Sequence, residues 1–583
     1  MVFEAPKWVP QLPIDPPDSV SIEQFMTSEA LGRRPLATSR NPFTCGLTGR
    51  SYSWAQTQQR ADHLSRAAGK HLGWQPNEGT PWDKVAAIFT LNAVDYLTAM
   101  YAIHRLDGIV TPANAAYSAI EFQHQLSSSG AQVVFTCAVL LETTLTATRA
   151  LKIPDEKVFL IDVPLPAAAS TSANPDNHLT VDQLIAEGSK LPALNPVQWA
   201  KGQGARQPAF LCYSSGTSGL PKAVMISHRN VITNILQITT YESVGRKQHG
   251  VDIQTEIGLL PFSHIYGLVV IAHAGTFRGD EVIVIPKFEL ETFLGAIQKY
   301  RIEQLRIVPP IVIRLLRTQD VCSKYDLSSV RFLYTGAAPT GEETIDDLRK
   351  IYPKWYFGQG YGMTETSTVV CSTSEHDTYA RSSGSLVPGT RAKIIGFDGK
   401  EVTAYDTPGE LLVQGLSVAL GYLNNEKASA ETFVHHDDGR WVRTGDEVIV
   451  TRAPSGNEHM IIVDRIKELI KVKGHQVAPA ELEAHLLTHP AVSDTAVIQI
   501  PDDNAGEVPK AFIVRSAAYA SKPAAEVARA IAKHVEDHKA SYKWLKGGVE
   551  FIDVIPKSPS GKILRRLLRD QEKAKNRKAG SKL

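Results

Sequence analysis

The chain has 583 residues, with 62 Lys and Arg against 61 Asp and Glu, a formal net charge of +1, and 43% hydrophobic residues. That length allows roughly three to four structural units with buried cores, and the neutral charge balance excludes a nucleic-acid coat or an acidic tail. No apolar run reaches the roughly 18 residues of a membrane helix, and the N-terminal MVFEAPKWVPQLPIDPPDS, with its five prolines, holds no apolar segment of a secretory leader. The cysteines at 45, 137, 212, 322 and 371 are too scattered for a disulfide framework or a CxxC metal pair and read as inert buried thiols.

Residues 1–42 are Pro-rich and polar and read as an arm on the surface. From about residue 50 to 340, β-branched runs alternate with helical patterns. Strands are predicted at Val85–Thr90, Gly108–Ala113, Gln132–Cys137, Lys157–Asp162, Glu281–Pro286, Gln304–Pro310 and Val330–Gly336. Such alternation implies βαβ units and parallel sheets covered on both faces. Pro164–Asp176 is an Ala/Pro/Ser-rich loop. Across residues 384–450, short β-like runs divided by Pro-Gly and Asp-Asp-Gly turns predict a small antiparallel or barrel-like unit. After Asp464 alternation resumes with a helix at Ala480–Thr488 and a strand at Thr495–Ile500, and a basic helix follows Lys562.

Five segments carry chemistry. In YSSGTSGLPK, between strand-like Phe210–Tyr213 and the run Val224–Ile226, Ser214, Ser215, Thr217 and Ser218 are interleaved with Gly216 and Gly219 and closed by Lys222. Glycines let backbone N–H groups approach an anion, hydroxyls add donors and the lysine adds charge: the make-up of a phosphate cradle, although not a Walker loop. In QGYGMTET, Gln359 to Thr366, Thr364 and Glu365 offer hard oxygens suited to Mg²⁺, and Tyr361 offers a flat face for a purine; Thr-Glu also serves as a plain helix start. In RTGD, Asp446 could accept both hydroxyls of a ribose, or simply close a turn. VDRIKELIKVKGHQVAPAELE packs lysines around Gly474, a pattern also found on solvated helix faces. In PKSPSGKILRR, Lys562 follows Pro559-Ser560-Gly561 and so sits on a constrained turn.

Together, and in this order, these segments resemble the adenylate-forming superfamily of acyl-CoA synthetases, luciferases and peptide-synthetase adenylation domains, over about residues 45 to 570. PFSHIYGL, IPKFEL, VPPIV, KYDLSSVR and GAAP resemble the 4-coumarate:CoA ligase branch, and NPFTCGLTGRSYS, GYLNNEKA and YKWLKGG resemble fungal peroxisomal phenylacetyl-CoA ligases. One departure is Ala223, where the family usually has glycine; alanine is small enough for little effect.

The resemblance implies an α/β fold. A large N-terminal domain, 1–463, would hold two parallel-sheet α/β subdomains and a small β-barrel-like one. A small mobile α+β domain, 464–583, would hinge at Asp464–Lys467. It implies that Ser214, Ser215, Gly216, Thr217, Ser218, Gly219 and Lys222 hold the ATP phosphates, and that Glu365 with Thr364 serves Mg²⁺. Gln359, Gly360, Tyr361 and Gly362 would flank the nucleotide, with Tyr361 against the adenine, while Asp446 and Arg465 hold the ribose. His264 would gate the acyl pocket. Lys562 would reach the carboxylate and α-phosphate. Lys471 and Gln476 would act on the adenylate or in thioester formation, and Lys473 and Gly474 would line a coenzyme A tunnel. The acyl pocket would be lined by Tyr266, Val270, Gly336, Ala337, Gly360, Gly362, Val369 and Val370. Its glycines would leave floor space for a flat ring, which points to an aryl or arylalkyl acid, with no carboxylate to pair an amino-acid ammonium.

The implied activity is ATP- and coenzyme A-dependent ligation of such an acid, releasing AMP and pyrophosphate. A medium-chain fatty acid as substrate, a luciferase-like monooxygenase and an enzyme loading a separate carrier protein remain alternatives. Ser581-Lys582-Leu583 at the C-terminus matches a peroxisomal address read by an import receptor.

Overall fold

The computed structural model describes residues 1–165, 178–214, 221–502, 504–558 and 561–580. The loop Ser215–Gly219, Pro559-Ser560 and the tail Ser581–Leu583 lie outside the described residues.

Two sheets with parallel cores form the bulk of the chain. One has seven strands, in the order Gly421–Tyr422, Lys222–Ser227, Pro208–Ser214, Ile109–Pro112, Val85–Phe89, Val133–Thr136 and Val158–Leu160. Its last five strands run parallel, and the hairpin Pro208–Ser214/Lys222–Ser227 turns one edge antiparallel. The other sheet has nine strands, with Gln304–Ile307, Phe332–Thr335 and Tyr356–Met363 side by side and parallel at its centre. Val85–Phe89 is buried at every position, the continuous apolar pattern of a strand covered on both faces.

The predicted strands fall where the sequence places them but end earlier. Gln304–Ile307 stops before Pro309, which opens the helix Pro309–Arg317, because proline lacks an N–H and suits the first turn of a helix. Several helices start on reciprocal side-chain caps, among them Ser53 with Gln56, Ser118 with Glu121 and Ser227 with Asn230.

The N-terminal 42 residues are not a surface arm throughout. Phe3 bridges to Ala392, Trp8 packs on Tyr241, and the helix Ile22–Thr27 buries Ile22, Phe25 and Met26. The prolines hold extended spacers between apolar anchors, and average composition hides the anchors.

Residues 391–465 form a five-stranded antiparallel sheet built around the long strand Gly439–Arg452. A fourth sheet follows, with Val492–Asp502 and Gly506–Arg515 antiparallel and Val549–Phe551 parallel to the latter. Helices Pro479–Leu487 and Ala524–His538 cover it, closing an apolar core of its own that includes Leu482, Leu486, Val497, Ile513, Ile531 and Val535. This unit packs against the large one. Arg317 donates from Nη1 to the Ser493 carbonyl at 2.6 Å and from Nη2 to the Val492 carbonyl. The five cysteines are all buried and free. Among the described residues no helix is long and apolar enough to cross a membrane.

Candidate active site

The site lies where three units meet. In the seven-stranded sheet, Ser214 pairs across the hairpin with Lys222, so the two flank the base of the loop 215–220. Ser214 Oγ donates to Glu365 Oε1 at 3.0 Å, and the Tyr422 hydroxyl donates to the same oxygen at 2.9 Å. Lys222 Nζ stands 4.9 Å from the centre of the Tyr422 ring. Glu365 is buried, on a one-turn helix, Thr364–Thr366, at the end of the strand Tyr356–Met363; Thr364 is half-buried beside it. The backbone leaves this turn strained. Ser367 has φ +57° and Thr368 φ +125°, the latter far from the ordinary range of a β-branched residue. Gly362 is required at this corner, since a Cβ there would lie 1.6 Å from the Thr368 carbonyl oxygen.

From the antiparallel sheet come Asp446 and Arg465, paired in register, with Arg465 Nε 3.6 Å from Asp446 Oδ1. The Tyr361 hydroxyl donates to Asp446 Oδ2 at 2.6 Å. Burial raises the Asp446 carboxyl pKa. The turn that presents it is built by its neighbours. Gly445 has φ +70°, Thr444 Oγ1 donates to the Leu411 carbonyl, and Arg443 points away onto Glu410.

The small unit contributes Lys562. Its turn is closed by Ser558 N–H donating to the Lys562 carbonyl at 2.8 Å, and Gly561, at φ +82°, abuts Val308 of the large unit. Burial, and next the Arg465 cation, lowers the Lys562 ammonium to about 8, while Asp446, Glu365 and Glu468 act in the opposite sense. His264, half-buried, is lowered to about 4 by burial and by Lys562, so its imidazole is neutral near pH 7; its Nδ1 accepts from the Tyr266 N–H. One buried carboxylate, one carboxylate paired with an arginine, and three cations from three units therefore converge, a set fit to hold a polyanion and a metal ion together.

The remaining predicted residues divide. Gln359 spends its amide on the Thr340 N–H and the Ala380 carbonyl. Lys471, Lys473, Gly474 and Gln476 are exposed on the hairpin Ile470–Val472/His475–Val477 and are not brought to Lys562. Lys473 and Gly474, at φ +48° and +83°, form the tight turn of that hairpin, and a Cβ on Gly474 would meet open space.

The predicted acyl pocket needs correction. Tyr266 and Val270 lie on a ten-residue π-helix, Tyr266–Gly275, wholly buried, a rare form concentrated at functional sites. Gly336 and Gly360 do not leave open floor. A Cβ at Gly336 would sit 3.0 Å from the Tyr266 ring, and one at Gly360 would sit 1.9 Å from the Tyr334 hydroxyl. The protein's own tyrosines use that space. A small cavity of about 10 Å³, room for about one water, is lined by Ile238, Tyr241, Glu242, Val270, Tyr334, Val369, Ser372 and Val387. Ala337 is exposed at φ +68°, and Val370 is the extra residue of a β-bulge opposite Tyr361 and Gly362; neither lines this cavity. Glu242, paired with Arg278 and Arg306, also borders this cavity.

Sequence reasoning missed Tyr334, Tyr422 and Glu242. A lone tyrosine before GAAP and a glutamate inside a long helix carry no local signal.

The chain belongs to the AMP-binding enzyme family. Residues 33–423 match the AMP-binding enzyme model and residues 481–562 match the AMP-binding enzyme C-terminal domain. The acyl-CoA ligase AFT1-1 of Alternaria alternata is 41% identical over 590 residues, covering 100% of this chain and 99% of its own. The acyl-CoA ligase cm3C of Cordyceps militaris is 38% identical over 586 residues, covering 98% and 90%. Among solved structures, the anthranilate CoA ligase AuaEII in complex with anthranoyl-AMP superposes with a TM-score of 0.77 at 23% identity, over 95% of this chain and 98% of that one.

Proposed function

We propose that the protein is an ATP-dependent acid–CoA ligase that activates an aryl or arylalkyl carboxylic acid, phenylacetate-like or 4-coumarate-like, as its acyl-adenylate and passes the acyl group to coenzyme A. The observation that carries this reading is the placement of Lys562, from the small unit, beside Asp446 and Glu365 of the large one and Arg465 at the junction between them. A carboxylate has no usable leaving group. In the proposed first step its oxygen bonds to the α-phosphorus of ATP, and the bond from that phosphorus to the bridging oxygen breaks, releasing pyrophosphate. Lys222 and Lys562 offset the repulsion between the two anions and meet the charge that builds in the transition state. Asp446 accepts from the ribose hydroxyls, held by Tyr361 and Arg465. Glu365 with Thr364 would hold Mg²⁺, which supplies charge neutralisation when bound. In the second step the thiol of coenzyme A bonds to the acyl carbon and AMP leaves. Because Lys562 and Gly474 lie on different parts of the unit 464–583, rotation about Asp464–Lys467 would present them in turn.

Acid-dependent exchange of labelled pyrophosphate into ATP, in the absence of coenzyme A, is the expected result with a responsive acid. Exchange that strictly requires coenzyme A would count against an adenylate intermediate.

The aryl preference is supported by the apolar and aromatic lining of the cavity at Val270, Tyr334 and Val369, into which a flat acid would fit once the Tyr266 or Tyr334 ring gives way. Val270→Phe should fill it and raise KM for bulky aryl acids more than for short acids, by about 1–3 kcal/mol in discrimination. Gly336→Val should do the same indirectly, by displacing the Tyr266 ring. Equal loss across a panel of acids would show that these residues do not bound the substrate.

A further inference from the structure

Away from the active site, the small unit carries two pairs of histidines at helical spacing. His534 and His538 lie four apart on the helix Ala524–His538; His485 and His489 lie four apart at the end of the helix Pro479–Leu487. Residues i and i+4 share one face of a helix, so the two pairs meet across the helix–helix contact. His485 and His534 stack with ring centres 4.3 Å apart, and His489 approaches His534 at 5.2 Å. His485, His534 and His538 each bring a ligand-capable ring nitrogen to within 4.8 Å of the others'.

The surrounding hydrogen bonds assign the protons. His485 Nε2 faces the His534 carbonyl at 3.2 Å, and His538 Nδ1 faces the same carbonyl at 2.8 Å; a carbonyl only accepts, so both nitrogens carry hydrogen. Thr488 donates its hydroxyl hydrogen to the His485 carbonyl at 2.7 Å, so His534 Nε2, 3.0 Å from Thr488 Oγ1, is the donor there. Each imidazole thus keeps its other nitrogen with a free lone pair. An imidazole anchored through one N–H on a carbonyl or hydroxyl, with the second nitrogen open, is the arrangement of a metal-binding histidine.

We propose that His485, His534 and His538 form a zinc site on the small unit, separate from the oxygen-ligand site expected for Mg²⁺. An all-imidazole set favours Zn²⁺ and its borderline neighbours over Mg²⁺. Zn–N bonds are about 2.0–2.1 Å, and imidazole lone pairs lie in the ring plane, so the His534 ring must turn out of its parallel stack with His485, and the nitrogens draw in, for all three to reach one ion. His538, exposed at the helix end, has the freedom to do so. The bound ion would tie the two helices together at the edge of their contact.

The test uses the full-length protein, freed of any affinity tag and stripped with a chelator, then given ZnCl₂ and passed through gel filtration before metal analysis. One zinc per chain is expected, with a rise in melting temperature and, when Co²⁺ replaces zinc, visible absorption from nitrogen coordination. His538→Ala should abolish all three without changing the metal-free melting temperature. Thr488→Ala, which only frees the His534 tautomer, should weaken binding about 10–100-fold. Replacing the exposed pair His435 and His436 with alanine should leave binding intact. No retained zinc, or equal zinc in His538→Ala, would overturn the proposal.

Discussion

Lys562→Ala is expected to slow adenylation by about 10²–10³-fold, the loss typical of one preorganised donor, while thioester formation from a supplied acyl-adenylate stays within a few-fold of normal. The reason is where the charge appears. Lys562 meets negative charge that develops as the carboxylate attacks phosphorus, and that charge departs with pyrophosphate. Gly474→Trp should have the reverse effect, because bulk on this exposed turn would obstruct the proposed coenzyme A path while leaving the ATP site open. Its φ of +83° strains any side chain, so Gly474→Asn, which tolerates this conformation, is the control for the turn itself. Single-turnover assays of each half-reaction separate the two. Equal damage to both halves by Lys562→Ala would end the division of labour. A pH profile adds an independent readout. Burial holds the Lys562 ammonium at about 8, so kcat/KM for adenylation should fall as pH rises through that value and the proton is lost. Lys562→Arg should flatten that fall.

Arg306→Met is expected to destabilise the large unit by about 3–5 kcal/mol, the cost of removing one partner of a buried ion pair. Arg306 is 0% exposed and donates to Glu256 Oε2 at 2.7 Å and to Glu242 at 3.0 Å. Glu256 is equally buried, and its Oε1 has no hydrogen-bond partner among the described residues. Without the guanidinium a carboxylate would be left alone in the core. Adding Glu256→Gln removes that charge and should restore much of the loss. Burial raises the Glu256 pKa, so the proton it gains stabilises the fold at low pH and is lost as pH rises. The single variant should therefore regain stability on acidification. Urea midpoints of the first unfolding transition measure all three effects, and a midpoint unchanged in Arg306→Met would refute the argument.

The sequence made the repeating βαβ units readable because strands buried on both faces are apolar without interruption, as at Val85–Phe89. The family was readable because YSSGTSGLPK, QGYGMTE and SPSGK bring particular residue types together at short spacing. The buried ion network was not readable. Arg306 lies 50 positions from Glu256 and 64 from Glu242, and each alone looks like a surface charge. The acyl pocket was misread for a related reason. Gly336 and Gly360 announce small side chains, but only the fold shows Tyr266 and Tyr334 arriving in the space they leave.

The contact of Arg317 with the small unit divides the risk of mutation unevenly. Its hydrogen bonds reach the carbonyls of Ser493 and Val492, and every residue type carries a carbonyl. On one side of the seam a single codon change removes the tie. On the other, the side chain at 493 can drift provided the backbone path is kept, whereas Val492 is fixed by the small unit's core, in which it is fully buried. A lineage could thus vary position 493 while this particular tie to the large unit rests on the history of one arginine.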